Sequence, residues 1–410
     1  MSQDTQKLEV NQTEMLSLEQ VAQVGARQML ALAVQAEIQS YLASFADLQT
    51  PDGHQAVVRN GYHHPRTITS CHGPVEVAVP RSRSRVEGVA AFASALIPKY
   101  MRKTLALEEA LPLFYLGGLS NGDFIPCFEK LFGTVPAGLS PTSITRLKRV
   151  WLTEMAQWRQ RDLTDAQYCY LWVDGIHFNL RLAEGRLCVL VVIGARATGR
   201  KELVAVVGGY RESAESWRTL LRDLQHRGMP CPTLCIGDGA LGFWKAVTDI
   251  YPETAHQRCW VHKTANILDK MPKAAQPQAK TLIHDMYRAE TETQARASYQ
   301  AFIARYQATY PKAVACLTKD EDTLFTFYRF PAEHWQHIRS TNVIESTFAT
   351  VRLRTHKTRG QGTLNMTLAM VFKLAERAAL RWRKLRGYKL LTMVGKGVVF
   401  TDGKIDKLAA

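Results

Sequence analysis

The 410-residue sequence is short of several features that mark other classes of protein. It holds no apolar run near the ~20 residues that a helix needs to cross a bilayer. Its opening, MSQDTQKLEV, is polar and lacks the basic-then-apolar order of a secretory signal. The expected location is the cytoplasm, with no membrane partner. The eight cysteines are scattered without a C-x-x-C pair, and Cys169, Cys188 and Cys235 sit in apolar runs that suit small buried thiols. This argues against a disulfide scaffold and for a reducing compartment. No internal repeat or low-complexity tract interrupts the chain, and 46% hydrophobic with 22% charged residues is the composition of a globular protein. Negative charge is also scarce: 37 Asp and Glu face 52 Lys and Arg, a formal net charge of +15. Neutralising phosphates releases condensed counterions, so this balance suits a nucleic-acid partner; a generic basic surface has the same composition.

The length allows two or three domains. Residues 1–50 form an N-terminal helical segment, with Leu18, Val21, Ala22, Val24, Met29, Leu32 and Ile38 at helical spacing. Residues 51–99 read as a small β unit, with short strands at Val57–Arg59, Arg66–Ser70 and Val75–Val79 punctuated by Asn60-Gly61 and Gly73-Pro74. Arg81-Ser-Arg83-Ser-Arg85 reads as a basic ribbon leaving that unit, either a solvated charge run or a set of phosphate contacts. Residues 100–162 carry three helices. The first, Leu105–Leu116, is stopped by Gly117-Gly118; Ser120 caps the second, which reaches Phe132; Ser140-Pro141 opens the third after the loop Gly133–Gly138. With Arg146, Lys148 and Arg149 on the third, this is the spacing of a helix–turn–helix DNA-reading module, although three packed helices with no DNA role fit it equally.

Residues 163–262 carry the strongest fold signal. Tyr168–Val173, His177–Leu182 and Leu187–Gly194 are closely spaced β-rich runs. A helix at Ser213–Gln225, a buried strand at Thr233–Ile236, a helix at Leu241–Ile250 and a strand at Ala255–Cys259 follow. The order βββαβαβ is that of an α/β, ribonuclease-H-like catalytic core, which mixes antiparallel and parallel strands. Residues 263–336 read as an all-helical insertion, and the core resumes over 337–362. Residues 363–410 form a C-terminal basic helix and tail. Its Arg377, Arg381, Arg383, Lys384 and Arg386, with Trp382 and Tyr388, suit DNA or a second subunit.

Two aspartates share an unusual context. In Leu171-Trp-Val-Asp174-Gly and Leu234-Cys-Ile-Gly-Asp238-Gly, an apolar strand is expected to end in Asp followed by Gly. A carboxylate there is costly unless compensated, and Gly permits a sharp exit that leaves its oxygens accessible. Either aspartate alone fits a hydrogen-bonded strand end; the pair, on strands that neighbour each other in this fold, points to a site. Glu345 supplies a third carboxylate one helix later, beside the apolar Ile344, Phe348 and Val351. Taken alone it also reads as a surface helix residue. Three converging carboxylates repel one another unless hard cations bridge them. Oxygen ligands suit Mg²⁺ or Mn²⁺, and two such ions can activate a water or a 3′-hydroxyl and stabilise the leaving oxygen of a phosphoryl transfer.

Around these residues lie Arg59-Asn-Gly-Tyr62, Arg227-Gly228, Gln257-Arg-Cys259-Trp-Val-His262 with Asn266, Phe330-Pro-Ala-Glu-His-Trp335 and Arg339-Ser-Thr-Asn-Val-Ile-Glu345-Ser-Thr-Phe348. In this order, over most of the chain, they resemble the bacterial insertion-sequence branch of the Mutator superfamily of DDE transposases. The resemblance implies a ribonuclease-H-like domain interrupted by a helical insertion before the Glu. It implies strand cleavage and strand transfer at terminal inverted repeats of double-stranded DNA, by a homodimer or larger assembly. It makes Asp174, Asp238 and Glu345 the metal-binding triad, and Cys259 and His262 the family's C-x-x-H motif beside it. His177, two residues after Gly175, departs slightly from the pattern and leaves the triad undisturbed.

A zinc centre on Cys259, His262 and His256 falls short of the four ligands of a structural site. His262 is better suited to contact substrate phosphate or support the catalytic pocket, and Cys259 to be packed. The expected DNA contacts are Arg81, Arg83, Arg85, Arg146, Lys148, Arg149, Arg339 and, in the loop after the Glu helix, Arg352, Arg354, Lys357 and Arg359. That loop also reads as a merely solvated one. Two rivals remain: a ribonuclease-H-fold resolvase or repair nuclease that cuts without joining, and a helix–turn–helix regulator with structural carboxylates. A regulator has no need of two Asp-Gly strand ends and a helix Glu.

Overall fold

The computed structural model describes residues 18–119, 122–132, 141–179, 186–209, 213–239, 241–357 and 363–406. The loop Gly133–Gly138 and the expected caps Ser120 and Ser140 lie outside them. The chain divides into two compact units, residues 1–147 and 148–410.

In the first unit, α1 (Leu18–Ala43) packs with β1 (Val57–Tyr62), β2 (Arg66–Ser70), β3 (Gly73–Val77) and β4 (Pro80–Ser84). Val34 and Ile38 of α1 meet Ile68, Val75, Val77, Val79, Phe92 and Ile97 in a shared core. β1 pairs antiparallel with β4, and β2 with β3. The arginine-serine run is therefore not a ribbon leaving the unit but strand β4, and its period of two explains why. Ser82 turns inward and accepts the Phe92 N–H at 2.7 Å, while Arg81, Arg83 and Arg85 are exposed. The β1 register shifts between Arg59 and Tyr62, where Gly61 takes a φ of +70°. Helices α2 (Leu105–Gly117) and α3 (Phe124–Phe132) follow, the second starting later than the Ser120 cap predicts. Helix α4 (Pro141–Arg159) begins at the expected proline and carries the chain into the second unit.

The second unit is built on a five-stranded sheet in the order β7-β6-β5-β8-β9. Strands β5 (Tyr168–Asn179), β6 (Arg186–Arg196) and β7 (Lys201–Gly209) form an antiparallel meander. Helix α5 (Ala214–His226) leads to β8 (Leu234–Gly237), and α6 (Leu241–Ile250) to β9 (Ala255–Arg258). β8 is parallel to both β5 and β9. The element order is the expected βββαβαβ, but two of the first three strands differ. The run 168–173 and the described part of the run 177–182, residues 177–179, belong to one strand, because β6 carries its ladder straight through Asp174↔Val191, Gly175↔Leu190 and Ile176↔Val189. The true third strand is β7, whose Leu203–Val207 is a continuous apolar run with no alternation to mark it. Trp217, Leu220, Leu221 and Leu224 of α5 and Phe243, Ala246 and Val247 of α6 cover one face of the sheet through Leu171, Val173, Leu190 and Val192. The Ser213 hydroxyl caps α5 by accepting the Ser216 N–H at 3.1 Å.

Between β9 and the Glu345 helix come α7 (Trp260–Leu268), α8 (Gln276–Arg288), α9 (Glu292–Tyr306), α10 (Pro311–Thr318), α11 (Glu321–Leu324) and α12 (Trp335–Ile338). α8 and α9 bury Ile283, Met286, Tyr299 and Phe302. Helix α13 (Asn342–Lys357) then buries Ile344, Phe348 and Val351, and α14 (Leu364–Ala379) packs on β7. Among the described residues no helix is long and apolar enough to cross a membrane.

Candidate active site

The parallel ladder between β5 and β8 runs Tyr170↔Leu234, Leu171↔Cys235 and Trp172↔Ile236. Asp174 and Asp238 each stand two residues beyond its last rung. Register alone thus brings both carboxylates to the same end of the sheet. They arrive by different routes. Asp174 is in mid-strand, buried and held by the β6 ladder, whereas Asp238 is half-buried on the turn that leaves β8. That turn requires Gly239, whose φ is +94°, and a Cβ there would collide with the Arg258 guanidinium.

Arg258 is itself pinned. Its Nε donates to Asp320 Oδ2 at 3.1 Å, and the same oxygen accepts from the buried Lys263 Nζ at 2.9 Å. Burial alone would raise the Asp320 carboxyl, but the bonds and charges of Lys263 and Arg258 hold it below its ordinary value. The segment between β9 and α13 therefore braces the turn behind Asp238.

Cys259 and His262 stand one turn apart at the start of α7, on one face of that helix. The Cys259 N–H donates to Gly237 O at 2.8 Å, and the Trp260 N–H to Arg339 O at 2.9 Å. One bond ties α7 to the strand end before Asp238, and the other to the approach to α13. Cys259 is fully buried at the N-terminus of α7, and its sulfur also accepts the Thr341 N–H at 3.3 Å, at the entry to α13. Two helix N-termini thus face one sulfur, which favours negative charge there. Burial would push the Cys259 thiol up, yet bonds from His262 and Thr341 hold it below its ordinary value. His262 is pushed up to about 9, first by its bond to Cys259 and then, against its own burial, by the charges of Cys259, Asp174 and Asp238. The two aspartates and His262 therefore share one electrostatic neighbourhood.

Glu345 lies in the first turn of α13, half-buried, with Oε1 3.7 Å from His262 Nε2. The Cys259, His262 and Glu345 ligand atoms all lie within 4.8 Å of one another; Asp174 and Asp238 are outside that set. His256 is outside it too, stacked on the Trp244 ring at 4.8 Å between centroids. Thr341, a residue that the sequence does not single out, has its Oγ1 3.3 Å from Cys259 Sγ, from His262 Nδ1 and from Glu345 Oε1. These groups are a hydrogen-bonded set about a hydroxyl, and among the described residues no fourth Cys, His, Asp or Glu makes it a zinc centre.

The expected DNA contacts are spread over both units. Arg81 and Arg83 share the exposed face of β4, and Arg85, one residue beyond its end, is exposed too. Arg146 is exposed and pairs with Glu108 at 3.3 Å, and Arg149 is exposed on α4. Arg339 is instead turned inward, donating to Tyr287 O at 2.7 Å with its guanidinium over the Tyr287 ring. The Lys148, Arg352, Arg354 and Lys357 side chains and all of Arg359 lie outside the described residues.

Comparison with known proteins shows the family of the chain. The chain is 53% identical over 299 residues to the transposase for insertion sequence element IS6120 of Mycolicibacterium smegmatis, covering 73% of this chain and 92% of that one. It is 47% identical over 275 residues to the transposase for insertion sequence element IST2 of Acidithiobacillus ferrooxidans, covering 67% and 93%. Among solved structures it is similar to the HTLV-2 integrase catalytic core domain in complex with magnesium, at 11% identity over 40% of this chain and 87% of that one. The TM-score of 0.17 is too low to bear on the fold. Residues 1–382 match the family described as Transposase, Mutator family, and the chain belongs to it.

Proposed function

We propose that this transposase cleaves and joins DNA strands by divalent-metal chemistry, with Asp174, Asp238 and Glu345 as the metal ligands. The observation that carries the reading is the register Trp172↔Ile236, which delivers two carboxylates to one end of a mixed sheet. The strand order β7-β6-β5-β8-β9, antiparallel then parallel, is that expected of a ribonuclease-H-like core. In this reading residues 163–262 and 337–362 are the catalytic domain, and 263–336 the helical insertion.

The residues fit a hard cation. Their donors are carboxylate oxygens, the kind that Mg²⁺ and Mn²⁺ prefer. His262 is raised first by its bond to Cys259, and the charges of Asp174 and Asp238 add to that rise. Bound ions, two in this reading, would make a water or 3′-hydroxyl a better nucleophile and offset charge on the leaving oxygen. The chain's own part is placement. Asp174 is fixed by the β6 ladder, Asp238 by the Gly239 turn braced on Arg258, and Glu345 by α13 with His262 beside it. His262 supports the pocket wall between the aspartates and Glu345.

The substrate in this reading is double-stranded DNA carrying terminal inverted repeats, in a bacterial cytoplasm, with a homodimer or larger assembly holding the two ends. Exposed Arg81, Arg83 and Arg85, with Arg146 and Arg149, suit phosphate contact that positions the duplex. The test incubates the protein with Mg²⁺ or Mn²⁺ and DNA bearing the flanking repeats. Nicking and joining that vanish in Asp174→Ala, Asp238→Ala and Glu345→Ala support the reading. Binding without metal-dependent nicking overturns it, and nicking without joining leaves a nuclease.

A further inference from the structure

The Cys259–His262 motif and the Glu345 helix come from separate stretches of chain, and one side chain at the head of that helix touches both. Thr341 is fully buried. Its C=O accepts the N–H groups of Ile344 at 2.8 Å and Glu345 at 3.2 Å, so it stands at the cap of α13 with Glu345 four residues on and facing the same way. Its N–H is spent on Cys259 Sγ. Its hydroxyl lies 3.3 Å from Cys259 Sγ, 3.3 Å from His262 Nδ1 and 3.3 Å from Glu345 Oε1.

A threonine hydroxyl has one proton to give and two lone pairs to offer. It accepts from His262 when Nδ1 carries the hydrogen, and donates to either the sulfur or the carboxylate, not to both. The sulfur already has the Thr341 N–H, which leaves the hydroxyl proton available to Glu345 Oε1. From Gly237, next to Asp238, a bond from the Cys259 N–H, two from Thr341 and the first turn of α13 then form a continuous path to Glu345. Asp174 needs no such path, because strand pairing fixes it. Asp238 has the turn braced on Arg258, whereas Glu345 stands on a helix, on a long side chain that loses rotamer freedom when it is ordered.

We propose that Thr341 is the positioning residue of this site. Through its hydroxyl it couples the Cys259–His262 pair to Glu345 and presets that carboxylate for the metal. The motif thereby acts on the metal site from outside, rather than forming a metal centre of its own. The inference rests on the metal reading above. Residues that orient ligands in this way typically change metal affinity or activity by about 10–100-fold when removed.

The test compares Thr341→Ser with Thr341→Ala, both of which lose the γ-methyl and differ only in the hydroxyl. Mn²⁺ affinity is read by electron paramagnetic resonance of the free ion, alongside cleavage rate at saturating DNA, DNA affinity and thermal unfolding. Expected are a Ser variant within about 3-fold of the parent, and an Ala variant with Mn²⁺ affinity and cleavage both down by about 10–100-fold at unchanged DNA affinity. Should Thr341→Ala lose its fold, Thr341→Val keeps the volume and is compared directly with the parent. Ser and Ala variants alike in Mn²⁺ affinity and rate, or a Val variant that matches the parent, would overturn the proposal. The Glu345→Ala variant in the same titration separates the two levels. Mn²⁺ binding that is lost there yet indifferent to the Thr341 hydroxyl overturns this inference alone, and a parent protein that binds no Mn²⁺ overturns both.

Discussion

Asp174 and Asp238 reach the same end of the sheet because each follows, by two residues, one member of the Trp172↔Ile236 pair. Like charges brought together by register raise the free energy of the fold until a cation arrives. Asp238→Asn should therefore abolish cleavage while leaving the metal-free protein as stable as the parent or more so. Calorimetry in chelator checks this. Adding Mg²⁺ should raise the parent's Tm, by the equivalent of about 2.7 kcal/mol at a hundred times the Kd, and should leave the variant's unmoved.

The turn after Asp238 offers a sharper structural test. At Gly239 a side chain would meet both an unfavourable φ of +94° and the Arg258 guanidinium. Gly239→Ala should cost about 1–3 kcal/mol in urea unfolding and displace Asp238, with activity lost well beyond the loss of folded protein. Full activity in this variant would mean that the turn does not set the position of Asp238.

Behind that turn, Asp320 is the shared partner of Arg258 and Lys263. Asp320→Asn leaves two buried cations without their counter-charge and should cost about 3 kcal/mol. The Asp320 carboxyl is held below its ordinary value in the fold, so its contribution is fully present above the unfolded pKa of about 3.9 and is lost as pH falls through the lower folded value. The gap in urea midpoint between parent and variant should therefore be wide at neutral pH and close below about pH 4. A constant gap would contradict the ion-pair account.

On strand β4 the arginines share an exposed face while the serines turn inward. If that face follows a DNA backbone, Arg83→Ala should weaken binding to all sequences alike and lower the slope of log K against log salt by about 1. A variant that changes sequence preference instead would place Arg83 against base edges.

Much of the sheet is legible in the sequence, and the exceptions have physical causes. Trp217, Leu220, Leu221 and Leu224 repeat at helical spacing and are all buried on α5. Asp174-Gly175 reads as a strand end because both residue types are disfavoured in strands, yet pairing with β6 overrides that preference. Neither unbroken apolar run, Leu187–Gly194 nor Leu203–Val207, carries a period; the longer one reads as a strand and the shorter one, in β7, goes unseen. At the site, an Asp-Gly after an apolar run draws attention to both aspartates, whereas Glu345 is drawn in by the motif around it. Thr341 carries no such signal. Beside Ser340 and Asn342 it reads as an ordinary helix cap, and two of its partners lie 79 and 82 residues away. Arg339 reads as a DNA contact for its charge, but its neighbour Tyr287 is 52 residues distant and takes the guanidinium inward.

Anomalous scattering from crystals of the protein soaked in Mn²⁺ shows whether three carboxylates hold the catalytic cations. Peaks coordinated by the oxygens of Asp174, Asp238 and Glu345 are expected. Peaks held by Cys259 and His262 in their place, or none beside the two aspartates at saturating Mn²⁺, would contradict the three-carboxylate reading.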